Sequence, residues 1–404
     1  MDLRPILSTL RRHKTAATLI VLEIALSCAI ICNAVFLIAT RMERMDRDTG
    51  LANDAIVRVN TAGIGRSEDA DAQTRADVEA LRRIPGVIAA TSTNHLPFDN
   101  SSWNSTVGLD QEQKLPNLNA SVYLGDAQLV ETFGLRIVAG RDFTADEFVD
   151  WAALDGADPA QIPSMLVTRA VAQRLFPDGD ALGKAVYAWG DNKIRIVGII
   201  DTLIRPNDNG GPAESAYSIV LPVNPPMGRF VLRTTPGQRA QVQAAAVESL
   251  KQTRQARIIL DAAPFTDLIE RHYRQDRAMA WLLGAVCIAL LVVTALGIVG
   301  LASFWVQQRT KQIGIRRALG ATRAQVLRYF QTENLLLATL GIAIGMVLAY
   351  GLNQLLMSKY ELPRLPLAYL PIGAVALWVL GQLAVLGPAR RAASVAPALA
   401  TRSV

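Results

Sequence analysis

Four long stretches of the chain are almost wholly apolar, and between the first two the pattern changes to short alternations and amphipathic helical runs. A bilayer core takes roughly 20 mostly apolar residues per helix. The stretches 15–40, 278–307, 334–356 and 370–388 reach that length and are predicted as transmembrane helices. The first is longer than the apolar region of a signal peptide, about 7–15 residues. It also contains Glu23 and Asn33, so it reads as a retained span.

The region 41–277 has the grammar of a water-exposed domain. DAIVRVNT (Asp54–Thr61) alternates as a strand, and RADVEALRRIPGV (Arg75–Val87) is an amphipathic helix stopped by Pro85-Gly86. GRFVLRTT (Gly228–Thr235) is a strand, Pro236-Gly237 opens a helix through about Gln252, and ARIILDA (Ala256–Ala262) is a strand. These two β-α-β units bracket an inserted subdomain at about 121–222 and predict an α+β core built from both ends of the region. Phe265–Arg277 reads as helix running on into span two, a continuous stalk. The predicted fold class is a membrane protein with four transmembrane α-helices and a large α+β extracytoplasmic domain between spans one and two. An arm (1–14), a polar segment (308–333), a short outer loop (357–369) and a tail (389–404) complete it.

Charge adds orientation. The chain has 404 residues, 51% hydrophobic, with a net charge of +6. That charge alone would suggest nucleic acid. Its distribution excludes this, because the arm, the 308–333 segment and the tail hold 13 Lys/Arg, while 41–277 has 26 Lys/Arg against 31 Asp/Glu. Basic residues flank spans on the cytoplasmic side. Both termini and the 308–333 segment are therefore expected in the cytoplasm, and 41–277 outside.

Catalytic chemistry finds little support. Cys28, Cys32 and Cys287 all lie in spans, which leaves the outer domain without disulfides or thiolate metal sites. His13, His95 and His272 are far apart and fit no metal-ligand spacing. GDALGK (Gly179–Lys184) is a fragment of a phosphate-loop pattern, but Ala185 stands where that loop needs Ser or Thr. The expectation is a chain that is not an enzyme and binds no cofactor or metal.

The 308–333 segment is more informative. Arg309, Lys311, Arg316 and Arg317 alternate with Ile313, Ile315, Ala318 and Leu319 as apolar knobs. Gly314 and Gly320 permit tight turns or close approach. Thr322 and Gln325 have the spacing of a capping box. The pattern predicts a short turn-bounded helix followed by a capped helix into span three, a shape suited to docking a partner. Lipid headgroups compete for the same arginines. Gly341 and Gly345 form a GxxxG, which packs helices within or between chains. Glu23 and Glu333 are costly in hydrocarbon and are expected to face protein, Glu23 through interhelical hydrogen bonding.

Two blocks of the chain carry a further signal. LRIVAGRDF, LVTRAVAQRLFPDGDALGKAV and IRIVGIID form the first, and RTKQIGIRRALGATRAQVLRYFQTENLLLATLGIAIG with GPARRAASVAPALATR the second. The first resembles the periplasmic core domain, and the second the permease domain, of the MacB/FtsX-type permeases of ABC transporters. The resemblance implies a bacterial inner-membrane subunit working with a second permease copy or relative and with a cytoplasmic ABC ATPase that binds ATP and Mg. A periplasmic adaptor is a further implied partner. Glu333 matches a family position near the inner end of span three, within reach of a coupling-segment arginine. Gln312 departs from the family, where an acid is common. The roles implied are efflux from the periplasm, regulation of an envelope hydrolase or sensor, or lipoprotein extraction. The size of the outer domain favours efflux.

Overall fold

A computed structural model describes residues 14–63, 69–101, 103–154, 160–190, 192–207, 212–253, 257–360 and 364–394. Arg4, Arg11 and Arg12 of the arm, Glu361 of the outer loop, and Arg402 of the tail lie outside the described residues. The chain divides into two compact units, Met1–Asp46 with Gln275–Val404, and Arg47–Arg274.

The membrane unit begins with α1 (Lys14–Met45). At 1.5 Å per residue this helix is about 48 Å long, more than a hydrocarbon core. The second unit follows, and its first layer comes from both ends of its sequence. It comprises β1 (Ile56–Gly63), α2 (Ala70–Arg82) and β2 (Val87–Ser92) from one end. The inserted stretch carries β3 (Asn104–Val107), β4 (Leu118–Leu124), α3 (Leu129–Phe133), β5 (Ile137–Gly140), β6 (Val149–Asp150), β7 (Ser164–Thr168), α4 (Arg169–Leu175), β8 (Ala185–Ala188), β9 (Asn192–Ile200), α5 (Pro212–Ser215), β10 (Ser218–Leu221) and β11 (Val223–Asn224). The other end supplies β12 (Arg229–Thr234), α6 (Arg239–Thr253) and β13 (Arg257–Pro264).

Strand order in the first sheet is β13-β1-β12-β2, antiparallel throughout. This is the split β-α-β arrangement, in which each strand of one unit lies beside strands of the other. Val59, Phe230, Leu232 and Ala90 of the strands bury against Val78 and Leu81 of α2 and Val242, Ala246 and Leu250 of α6. Asp69 caps α2 by accepting from the Ala72 N–H at 2.8 Å. Arg257 and Asp77, both nearly fully buried, form an ion pair joining β13 to α2.

The second sheet is mixed, with order β3-β4-β10-β7-β9-β5 and β8 beside β9. Its core includes Val122, Leu124, Met165, Val167, Ile194, Ile196 and Ile219. This sheet starts at Asn104, earlier than the boundary of about 121 that the pattern predicts. The strand Asn-Ser-Thr-Val is too short and polar to announce itself, and pairing with β4 makes it a strand. Gly179–Lys184 is a turn between α4 and β8, with the Leu182 N–H bound to Asp180 Oδ1 at 2.9 Å.

The predicted continuous stalk is interrupted. α7 (Phe265–His272) ends at Tyr273, and α8 (Arg274–Gln308) begins on the next residue. Tyr273 is buried, its ring 5.3 Å from Phe98 and 4.8 Å from His272. Burial of this ring takes precedence over helical continuity, a tertiary demand with no local periodic signature.

The membrane unit resumes with α8 and continues through α9 (Thr310–Ala318), α10 (Arg323–Tyr360) and α11 (Tyr369–Ala393). α1, α8, α10 and α11 are long and apolar enough to cross a membrane. The predicted fold class holds: among the described residues there are four such helices, with a mixed α/β domain between the first and second.

α1 and α10 pack closely because of the GxxxG. A β-carbon on Gly341 would lie 2.9 Å from Ile24 Cβ, and one on Gly345 would lie 2.5 Å from Cys28 Cβ. The glycines thus serve packing within one chain. Polar groups add specific ties, which in hydrocarbon have little water to compete with them. Ser27 and Thr294 hydroxyls bond at 2.8 Å between α1 and α8. Asn33 Nδ2 donates to the Ala349 carbonyl at 3.1 Å between α1 and α10. Arg41 pairs with Asp276 at the end of the bundle opposite α9. Glu23 lies with its carboxylate over Gly297 of α8, a place where any side chain would collide with it. It makes no hydrogen bond among the described residues. The interhelical bond expected of it is made by Ser27, one turn further along α1.

Candidate functional site

α8 ends at Gln308, and a single residue, Arg309 (φ −104°, ψ 9°), separates it from α9. α9 is stopped by a left-handed glycine. Gly320 has φ +98°. Its N–H donates to Arg317 O at 3.1 Å, and the Ala321 N–H donates to Arg316 O at 3.0 Å. That pair of bonds is the Schellman motif, which favours Gly because other residues are strained there. α10 then starts with reciprocal capping: the Thr322 N–H donates to Gln325 Oε1 at 2.9 Å, and the Gln325 N–H donates to Thr322 Oγ1 at 3.2 Å. Helix, stop and capped restart follow each other within a few residues. α9 is thereby folded back beside α10.

One face of α9 is spent inside the chain. Ile313 and Gly314 are buried. Ile313 packs with Val306, Val326 and Phe330 and with Ala389, Ala392 and Ala393 of α11. Arg317 donates to the Ala393 carbonyl at 2.8 Å. Arg309 reaches Glu333 of α10 with its Nη1, 3.1 Å from Oε1 and 3.0 Å from Oε2. Both side chains are at most a tenth exposed, and the guanidinium also stacks 5.7 Å from the Trp305 ring. α9 is therefore clamped to α8, α10 and α11 together.

The opposite face makes no such contacts among the described residues. Lys311, Ile315 and Ala318 are exposed, and Leu319 at the tip is 83% exposed. The residues of the predicted docking pattern thus divide. Arg309, Ile313, Gly314 and Arg317 hold the element in place. Lys311, Ile315, Ala318 and Leu319 face outward, Arg316 leans over the Tyr329 ring of α10, and Gly320 is the stop. Ile313 corrects the expectation of an outward knob: helical phase puts it with Arg317, four residues on, against α11. Val326, Phe330, Ala389 and Ala392 were not singled out by the sequence pattern. Their i, i+4 and i, i+3 spacings were visible, but nothing local said that their faces meet.

Between α9 and α10 lies a notch of about 230 Å³. Gln312, Arg316 and Gln325 stand on its walls, Tyr329 forms a shelf, and Ile313, Val326 and Phe330 line its floor. The Arg316 guanidinium lies 5.3 Å from the centre of the Tyr329 ring.

The described histidines of the outer domain are spent on packing. His95 is fully buried, edge-on to Tyr123 with centroids 4.5 Å apart. Burial, with the Arg229 charge nearby, pushes its pKa down to about 3, so it is neutral near pH 7. His272 stacks in the Phe98 cluster, and His13 lies outside the described residues. Among the described residues no group of three or more His, Cys, Asp or Glu side chains is placed to hold a metal.

Comparison with known proteins places two family models on this framework. Residues 17–257 match the MacB-like periplasmic core domain, and residues 284–397 match the FtsX-like permease C-terminal region. The macrolide export ATP-binding/permease protein MacB of Chromobacterium violaceum is 26% identical over 294 residues, 70% of this chain and 43% of that protein. An uncharacterized ABC transporter permease of Bacillus subtilis, YvrN, is 24% identical over 375 residues, 87% of this chain and 86% of that one. The crystal structure of the periplasmic region of MacB from Actinobacillus actinomycetemcomitans aligns at 14% identity and a TM-score of 0.34, covering 57% of this chain and 98% of that structure. The chain spans about two fifths of the length of the MacB relatives it matches.

Proposed function

Because this chain belongs to the family of MacB-like periplasmic core domains and continues into an FtsX-like permease region, we propose that it is the membrane subunit that links an ABC ATPase to movement of its outer domain. The ATPase binds ATP and Mg, and a second permease copy or relative completes the assembly. The chain itself supplies a handle, a transmission element and a moved part. The outer domain, with its large insertion, favours export of a substrate from the periplasm over signalling alone.

The observation that carries this reading is the division of α9 into a clamped face and an open one. A partner gripping Ile315 and Leu319 would not slide α9 over its own subunit. The load would pass through the buried Arg309–Glu333 pair and the Ile313 contacts into α8, α10 and α11. In sequence α8 follows directly on α7 of the outer domain, so a displacement of α8 would be passed along the chain to that domain. Interfaces bury a small apolar centre inside a polar rim that keeps water out. Ile315 and Leu319 with the neighbouring basic side chains fit that description.

The test is the double substitution Ile315→Glu and Leu319→Glu. Loss of an apolar hot spot of about 2 kcal/mol weakens retention of the ATPase roughly thirtyfold. The chain should still insert and purify, because both residues are exposed. Undiminished retention of the ATPase would remove α9 as the handle.

Orientation has its own test. Cysteines placed at Asp110 in the outer domain and at Lys311 on α9, both exposed positions, should react with an impermeant thiol reagent from opposite sides of the membrane. The native cysteines are buried and give a low background. Reaction of both sites from one side contradicts the proposed topology.

A further inference from the structure

We propose that the notch between α9 and α10 binds the phosphodiester headgroup of an anionic phospholipid. Three observations converge on it. The first is depth. Glu333, tied to Arg309, marks the last charged position of α10 before a run without Asp, Glu, Lys or Arg up to Lys359. Tyr329 is one turn before it, about 6 Å along the axis. The headgroup layer adds about 5–7 Å on each side of the hydrocarbon core. The Arg316–Tyr329 stack therefore sits at the level of lipid phosphates, where aromatic rings and arginines concentrate.

The second observation is charge. Among the described residues no carboxylate lines the notch. The Arg309 guanidinium is neutralised by Glu333, whereas Arg316 has an exposed side chain held over the Tyr329 ring and no carboxylate partner among the described residues. A planar guanidinium presents paired N–H donors that match phosphate oxygens. Gln312, one turn before Arg316 on the same flank of α9, and Gln325 across the notch add amide donors.

The third observation is shape. A polar rim stands above an apolar floor of Ile313, Val326 and Phe330. This sequence of surfaces matches a lipid, whose phosphate meets its glycerol and acyl chains over a few ångströms. A soluble anion would leave the floor unused. Lys311 and Ala318 lie on the other flank of α9, so lipid and a protein partner gripping the tip can be held together. The inference stands apart from the ATPase reading.

Native mass spectrometry of the full chain in detergent, titrated with phosphatidylglycerol, tests it. Wild type should retain phosphatidylglycerol in preference to phosphatidylcholine. Arg316→Gln should weaken that retention roughly tenfold, the size of one charge-assisted hydrogen bond. Lys311→Gln, an equal loss of charge on the other flank, should leave it unchanged. Equal losses in the two variants would mean diffuse surface attraction and overturn the site. Inorganic phosphate that displaces the lipid at matched concentration would reassign the notch to a free anion and overturn the lipid. Loss of ATPase retention in Arg316→Gln with lipid retention intact would assign the notch to the protein partner and overturn it as well.

Discussion

Replacing Glu333 with alanine is expected to cost about 3–5 kcal/mol of stability, the usual penalty for stranding one member of a buried ion pair. The carboxylate is 2% exposed and accepts from one Arg309 nitrogen through both of its oxygens. Without it, the guanidinium keeps its charge in a largely buried place beside the Trp305 ring. Glu333→Gln, which keeps the shape and one acceptor, should lose less. The swap of Arg309→Glu with Glu333→Arg should recover part of the loss, because the pair is re-formed in reverse. Thermal unfolding in detergent reads the stability. Amide exchange along α9 reads whether the coupling element has come loose. A Glu333→Ala chain as stable as wild type, with α9 equally protected, would falsify the idea that this pair locks the handle to the spans.

The second large effect is expected at Gly345. Substitution by leucine places a β-carbon 2.5 Å from Cys28 Cβ and 2.7 Å from the Ala25 carbonyl oxygen. No rotamer relieves that collision, because the added β-carbon and both atoms that it meets are placed by the backbone. α1 must move away from α10, which opens the helix pair at the centre of the membrane unit. Overpacking costs about 1–3 kcal/mol and occasionally more. Because the contact lies within one chain, the loss should not depend on protein concentration. Gly351→Ala, on the same helix with nothing within 4 Å of the added carbon, is the control and should be neutral. Folded yield and unfolding midpoint over a dilution series check both. A loss at Gly345 that disappears at high concentration would place this glycine between chains instead.

Much of the fold was legible because the membrane makes it local. A span must satisfy its own backbone hydrogen bonds and cover itself with apolar side chains. Each of the four long helices therefore carries its evidence in its own sequence. The same holds for the turn at Gly320 and the box at Thr322 and Gln325, where the residues that make the structure are next to each other. The two β-α-β units were legible for a similar reason, since alternation and helical period are short-range signals.

Other features depended on partners distant in sequence. The order β13-β1-β12-β2 joins strands separated by the whole insertion. β3 is too polar to be recognised without β4, and the break at Tyr273 belongs to a ring cluster that includes Phe98. In the candidate site, spacing showed that α9 would have an apolar component and a basic one. It did not say which isoleucine turns inward.

The sequence by itself therefore determined the class of molecule, the four spans, the mixed outer domain and the helix–stop–helix element. These follow from composition and period, which act within one or two turns of chain. Tertiary structure alone decided that Ile313 is clamped while Ile315 is offered. It decided that Gly341 and Gly345 meet α1 of the same chain, that Arg309 is the arginine matched to Glu333, and that Arg316 overhangs a notch. The physical reason is that periodicity specifies how much of a helix is buried and on which side. The identity of the surface that buries it is set by packing between segments far apart in sequence.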